Sequence, residues 1–234
     1  MKFNFSLSVL IMIVMTSLYG QTVEVSGRIK GISDSSRLKI YFMPLKLYED
    51  VVSEEVDCIN GKFKIVTQLD TSMWHLVQID CDEFNSLPDS LTCNYKTRTA
   101  IKVFIFPGDK LIIKAKKANF GAKFHVYGNK IASQQNEFKE KTFKLEQDYA
   151  ETVFSKSKLI TDSDNDDEIK NLKDKIDGIN LVNIYRHLDW DYSAIILPGY
   201  ELEIIKEIYN KLDFKVKESF FGRYVEEIIN STDP

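Results

Sequence analysis

The chain has 234 residues, of which 44% are hydrophobic and 28% are charged. These fractions exclude a collagen-like, low-complexity or polytopic membrane protein, and the length allows one or two domains. With 31 basic and 35 acidic residues the net charge is -4, which gives no general attraction to nucleic acid. Three cysteines are too few for a disulfide-dense scaffold, so folding must depend on the burial of apolar side chains.

The first 20 residues are typical of a secretory signal peptide. Lys2 precedes an apolar run of 14 residues, 5–18, and Gly20 offers a small residue at the cleavage position. A membrane-spanning helix needs about 20 apolar residues, so this run is short for one. An uncleaved N-terminal anchor is the alternative. We therefore expect an exported, periplasmic or other cell-envelope protein that could meet the membrane only through this segment.

Residues 21–128 show the alternation of apolar and polar side chains that is typical of strands with one buried face. About eight such runs follow one another with no helical pattern between them, and this order predicts an antiparallel β-sandwich. In the first two runs the apolar residues share a parity: Val23, Val25 and Ile29, then Leu38, Ile40 and Phe42.

Two tight turns punctuate this half. Asn60-Gly61 readily supplies the two positive φ angles of a type I′ turn. In Phe106-Pro107-Gly108-Asp109, proline and glycine suit the two central positions of a type II turn. A hairpin at each turn would create three facing pairs: Cys58 with Phe63, Val56 with Ile65, and Phe104 with Leu111.

Residues 129–234 change to an apolar spacing of three and four, which predicts four or five helices. The chain is therefore expected to be α+β, with a signal peptide (1–20), a β-sandwich domain (21–128) and a helical domain (129–234). Charge divides in the same way. Residues 21–128 have a net charge of +2, and residues 129–234 have a net charge of -7.

Recognised catalytic and metal-binding motifs are absent from the sequence. There is no G-x-S-x-G, P-loop, G-x-G-x-x-G, H-E-x-x-H or C-x-x-C. His75, His125 and His187 are scattered, and the acidic stretch 162–168 lacks the glycine and the bidentate glutamate of an EF-hand loop. We expect no catalytic residue, no cofactor and no metal.

Cysteine chemistry offers one structural alternative. Cys81 and Cys93 could form a disulfide across a loop in an oxidising compartment, or they could remain two thiols. Cys58 shares the parity of Val56, so we expect a small buried apolar side chain there.

Five stretches of the exported chain resemble a known family. They are VEVSGRIKG (23–31), INGKFKI (59–65), VFIFPGDKLIIKA (103–115), HVYGN (125–129) and the helical segment 189–228. Together they resemble the N-terminal domain of unknown function, with its helical connector, that precedes the redox domain in thioredoxin-like disulfide reductases of Gram-negative bacteria. These are turn and packing motifs, so the resemblance implies a fold rather than a chemistry. The redox motif of that family has no matching positions here.

The resemblance implies an exported, non-catalytic interaction or positioning module, with an envelope protein or a thioredoxin-like protein as partner. The segment 81–99 looks like an insertion relative to that family, and long loops between strands often carry function. A small-ligand or glycan-binding module is therefore the alternative, and its site would combine this loop with nearby aromatic side chains: Trp74, Phe84 and Tyr95.

Overall fold

The computed structural model describes residues 21–45, 50–69, 73–84, 100–117, 123–158 and 164–232. The predicted signal peptide and most of the loop 81–99 lie outside these ranges. The fold is α+β, with eight strands in two four-stranded sheets followed by a helical half. The strands belong to one compact unit and the described helices to another, with the division between Asn129 and Lys130.

Each sheet draws its strands from distant parts of the chain. The first sheet has the order β4-β1-β7-β8 and the second has the order β3-β2-β5-β6. The strands of the first sheet are β1 (Gln21–Lys30), β4 (Lys62–Leu69), β7 (Lys110–Lys116) and β8 (Phe124–Tyr127). Those of the second are β2 (Arg37–Pro44), β3 (Val52–Asp57), β5 (His75–Cys81) and β6 (Ile101–Ile105).

Strand direction differs from the expectation at one place. Five of the six named strand pairs are antiparallel, but β1 and β7 run parallel, with Val25 facing Leu111. A parallel pair requires a long connection between its two strands. Here the whole second sheet and β4 lie between β1 and β7 in the sequence. The expectation of purely antiparallel sheets was therefore wrong for this central pair.

Both predicted turns form, but the hairpins expected beyond them do not. Asn60 and Gly61 have φ angles of 53° and 68°, and the backbone bridge between Ile59 and Lys62 closes the turn. At the second turn the Asp109 N–H donates to the Phe106 carbonyl, 2.9 Å away. In both cases the chain then passes from the second sheet to the first. The three predicted facing pairs were wrong, because each strand pairs within its own sheet: Val56 with Leu38, Ile65 with Val25, Phe104 with Leu76, and Leu111 with Val25.

One face of each sheet is buried, as the alternating pattern predicted. In β7 the odd-numbered residues are buried and the even-numbered residues are exposed. In β2 the buried positions are again the apolar ones. The side chains that the sequence selected in β1 and β2 are at most 1% exposed: Val23, Val25, Ile29, Leu38, Ile40 and Phe42.

Helices make up the second compact unit. Two long helices, α1 (Lys130–Lys158) and α2 (Asp164–Arg186), are followed by four shorter ones. The shorter helices are α3 (Asp191–Ile196), α4 (Leu202–Lys211), α5 (Phe214–Lys217) and α6 (Phe220–Thr232). A cluster of aromatic rings stabilises this unit: Phe138 contacts Trp190 and Tyr192, and the His187 ring stacks on Trp190 at 3.8 Å.

Candidate functional site

The exposed face of the first sheet carries a row of basic side chains. Lys62, Arg28, Lys114 and His125 occupy matching positions on β4, β1, β7 and β8, so they form one row across all four strands. Neighbouring strands are about 4.8 Å apart, which places these groups close together. Two residues further along, Lys30 on β1 faces Lys116 on β7. We call the exposed residues of this sheet the basic face.

Carboxylates do not neutralise most of this charge. Within the described part of the chain, no ion pair involves Arg28, Lys30, Lys62, Lys114 or Lys116. Glu24 is the one acidic residue in the described strands of this sheet, and its carboxylate binds the Lys64 ammonium group at 2.9 Å. The Lys114 ammonium lies 5.1 Å from the centre of the Tyr127 ring.

One end of the basic face is concave. A depression of about 560 Å³ lies over β1, β7 and β8, and six of the seven described residues that line it have basic side chains. We call it the basic depression, and none of these seven residues is acidic. The described lining residues are Arg28, Lys30, Lys114, Ala115, Lys116, Lys123 and His125.

The sequence reasoning missed this site, although a signal was present. The apolar positions of the strands predict the core, and the polar positions between them carry the basic residues. Basic residues occupy both alternate positions in Arg28-Ile29-Lys30 and Lys62-Phe63-Lys64, and three of the four alternate positions in 110–116, where Ile112 is the exception. That alternation puts them on the face opposite the core. Strand pairing was needed to show that all three segments share one sheet.

A second polar cluster surrounds Glu83 in the 3-10 turn that follows β5. The Glu83 carboxylate accepts hydrogen bonds from the Lys117 ammonium group, the Ser36 hydroxyl and the Ser33 N–H, the last at 2.6 Å. The bonds from Lys117 and Ser36 lower the pKa of Glu83 to about 2. The three described donors come from separate segments of the chain, so the cluster joins these segments to the turn after β5.

The two described cysteines, Cys58 and Cys81, are buried thiols. Cys58 is fully buried and Cys81 is 2% exposed, and both are free in the structure. Burial raises the pKa of Cys58 to about 11 and that of Cys81 to about 12. A thiol with so high a pKa is a poor nucleophile at neutral pH. Cys93 lies outside the described residues, so a disulfide between Cys81 and Cys93 stays a prediction.

The three histidines lie in different surroundings. His75 is 3% exposed, and its Nδ1 lies 3.0 Å from the Met73 carbonyl oxygen. His125 belongs to the basic face, and its ring stacks near that of Tyr127. His187 packs on Trp190 in the helical unit. Among the described residues, no group of three or more His, Cys, Asp or Glu side chains is placed to hold a metal ion.

The aromatic site proposed from the sequence can be followed at only one of its three residues. Trp74 is partly buried just before β5, and its ring packs at 5.4 Å against that of Phe106. The side chain of Phe84 and the whole of Tyr95 lie outside the described residues. The structure therefore does not bring the three together as a described site, and the packing of Trp74 on Phe106 is a role within the fold.

Comparison with known proteins adds no assignment. The chain matches no protein-family model, and it has no match among curated protein sequences. In the described part of the chain, none of the helices has the length and apolar character needed to cross a membrane.

Proposed function

We propose that this chain is an exported, non-catalytic binding module that attaches to a negatively charged partner through its basic face. We further propose that the two sheets form a β-sandwich, related to the accessory half of thioredoxin-like disulfide reductases. The observation that carries the binding role is the basic row of Lys62, Arg28, Lys114 and His125.

A purely structural explanation of the row is weak, because like charges directly opposite one another on neighbouring strands destabilise a sheet. Arg28 faces Lys62 on one side and Lys114 on the other. Asp57 lies near these three residues, but its carboxylate pairs with Arg37 at 3.2 Å. A fold selected for stability alone would place acidic or uncharged residues at one of these positions. A bound anion would neutralise these charges and remove the repulsion between them.

Two other roles for surface lysines also fail to explain the row. Lysines at sheet edges discourage aggregation, but Arg28 and Lys114 lie on the two central strands, β1 and β7. A general surplus of charge promotes solubility, but the protein as a whole has a net charge of -4. The basic residues are therefore concentrated on one face of a protein whose net charge is negative.

Retention on immobilised heparin, used as a polyanion probe, tests this proposal. At about 0.1 M salt the Debye length is about 10 Å, which exceeds the spacing of the row, so its charges act together. We expect the protein to be retained at this salt concentration and to elute as salt is raised. The double variant Arg28→Gln/Lys114→Gln should pass through the column, with a melting temperature equal to or above that of the wild type because repulsion is removed.

A matched control removes two positive charges elsewhere. Lys170 and Lys173 are exposed residues of α2, so Lys170→Gln/Lys173→Gln changes the net charge equally and should leave retention intact. Passage of the wild-type protein through the column, or equal loss of retention in both double variants, would contradict the proposal.

A further inference from the structure

We infer that the basic depression is a binding site for a compact ligand that carries two or more phosphate groups. This inference rests on the proposed function, since it assigns a ligand class to one part of the basic face. The rest of that face, which includes Lys62 and Lys64, lies outside the lining of the depression.

The shape of the depression favours a compact ligand. Its residues form two rows on β1, β7 and β8, with Arg28, Lys114 and His125 in the first row and Lys30 and Lys116 in the second. Strand and residue spacings give this grid a size of about 10 Å by 7 Å. Its volume of about 560 Å³ falls within the range of small-molecule sites.

The hydrogen-bonding character of the lining favours an oxyanion. Lysine and arginine side chains donate hydrogen bonds and cannot accept them, so a ligand must offer acceptor oxygens. Arg28 can bind two such oxygens at once, and each lysine provides a concentrated positive charge. Among the described lining residues, Ala115 alone lacks a polar side chain, so this part of the lining offers little apolar surface for a ligand to cover.

Charge density favours phosphate over carboxylate. Four permanently charged side chains line the depression and form no ion pair within the described part of the chain: Arg28, Lys30, Lys114 and Lys116. None of the described lining residues is acidic. A phosphate monoester carries nearly two negative charges at neutral pH, whereas a carboxylate carries one. Two phosphate groups therefore carry enough charge to neutralise these four side chains, whereas an acidic peptide would have to place four carboxylates within the same area.

Nucleic acid fits the depression less well. Proteins that bind single strands combine basic residues with aromatic side chains on which bases stack. Among the described residues that line the depression, His125 is the one aromatic side chain, and the Tyr127 ring lies 5.1 Å from the Lys114 ammonium group. The described lining therefore supplies more charge than stacking surface.

Calorimetric titration with tripolyphosphate, in phosphate-free buffer at about 0.1 M salt, tests the inference. We expect saturable binding with one ligand per chain, at least about tenfold tighter than the binding of citrate, which presents three carboxylates. A single-stranded oligonucleotide of mixed sequence serves as a third ligand. If it bound more tightly than tripolyphosphate, the inference would be wrong.

Two double variants with the same charge change locate the site. Lys30→Gln/Lys116→Gln alters the depression and should weaken tripolyphosphate binding at least about tenfold, since two direct ion pairs are removed. Lys170→Gln/Lys173→Gln alters exposed residues of α2 outside the lining of the depression and should weaken it less than about threefold. Comparable weakening by both variants would show a diffuse attraction and overturn the inference, provided that thermal unfolding shows both variants to be folded.

Failure of this inference can be distinguished from failure of the proposed function. If the protein is retained on heparin but does not bind tripolyphosphate, the basic face binds polyanions and the depression has no phosphate site. If the protein is not retained on heparin, the proposed function fails, whatever the titration gives.

Discussion

Gly128 occupies a backbone conformation that other residues rarely adopt. Its φ angle is +129°, and an added Cβ atom would lie 1.9 Å from the Lys110 carbonyl oxygen at the start of β7. Gly178, in contrast, lies inside α2, where an added Cβ atom would have no neighbour within 4 Å. The helix α2 continues past Gly178 to Arg186.

Alanine at these two glycines should have opposite effects on stability. Gly128→Ala forces a side chain into a strained backbone and against a carbonyl group, so we expect it to lower the free energy of unfolding by at least about 2 kcal/mol. Gly178→Ala should raise the stability of α2 by about 0.5 to 1 kcal/mol, because alanine has the higher helix propensity. Native-state hydrogen exchange at β7 and at α2 measures each effect locally.

The outcome for Gly128 is decisive for the backbone at the end of β8. If the β7 amides of the Gly128→Ala variant exchanged at the wild-type rate, the positive φ angle of Gly128 and its close approach to Lys110 could not both be correct. The Gly178→Ala variant controls for the general effect of adding a methyl group.

At the scale of elements, Glu83 joins segments that are far apart in the sequence. Its carboxylate follows β5, whereas Ser33 and Ser36 precede β2, and Lys117 follows β7. These donors lie beside the ends of strands that belong to both sheets. The carboxylate must be ionised to accept all three bonds at full strength.

Glu83→Gln should destabilise the strand unit in a manner that depends on pH. The pKa of Glu83 is lowered from 4.5 to about 2 by folding, so its contribution is complete above pH 4.5 and is lost as the pH falls toward 2. We expect the variant to be about 1 to 2 kcal/mol less stable at pH 7, with solvent around Lys117 limiting the effect. Urea unfolding at pH 7 and pH 3 should show the difference shrinking at the lower pH.

Glu55→Gln provides the control for this prediction. Glu55 is a half-exposed carboxylate paired with exposed Arg37 at 3.5 Å, and such surface pairs contribute about 0.5 kcal/mol or less. If both variants lost the same stability, or if the Glu83→Gln effect grew as the pH fell, the proposed role of the Glu83 carboxylate would be wrong.

The elements also show which structural features the sequence could predict. Alternation identified the buried faces of β1 and β2, and Asn60-Gly61 and Pro107-Gly108 identified two turns, because these signals depend on a few neighbouring residues. Strand partners depend on distant parts of the chain. β4 pairs with β1 over eight residues, and this longer ladder outweighs the short hairpin that Asn60-Gly61 alone would favour.

At the scale of the whole molecule, net charge concealed the candidate site. The strand half has a net charge of only +2, because acidic residues elsewhere in it offset the basic face. In the helical unit, many lysines pair with carboxylates: Lys139 with Glu146, Lys144 with Asp148, and Lys211 with Glu207. Arg28 on β1 and Lys114 on β7 differ from this pattern, since neither forms an ion pair within the described part of the chain. Only the order of strands in the sheet shows that they are neighbours.

At the scale of the whole molecule, the reactivity of the thiols tests the proposal that this protein has no redox activity. In a Cys93→Ser variant the remaining thiols are those of Cys58 and Cys81, both buried and with pKa values of about 11 and 12. At pH 8 only about one Cys58 in a thousand is a thiolate. We expect a disulfide reagent such as DTNB to modify fewer than about 0.1 thiols per native chain within minutes, and both thiols in guanidinium chloride.

Insulin reduction with dithiothreitol extends this test to the unmodified chain. A non-catalytic module should leave the rate at that of dithiothreitol alone, because the described thiols are inaccessible and no C-x-x-C pair exists in the sequence. Acceleration by the wild-type protein that disappears in Cys93→Ser would assign redox activity to Cys93 and contradict the proposed function. Acceleration that persists in Cys93→Ser would mean that Cys58 or Cys81 becomes exposed in the native protein, and the burial that raises both pKa values would then be wrong.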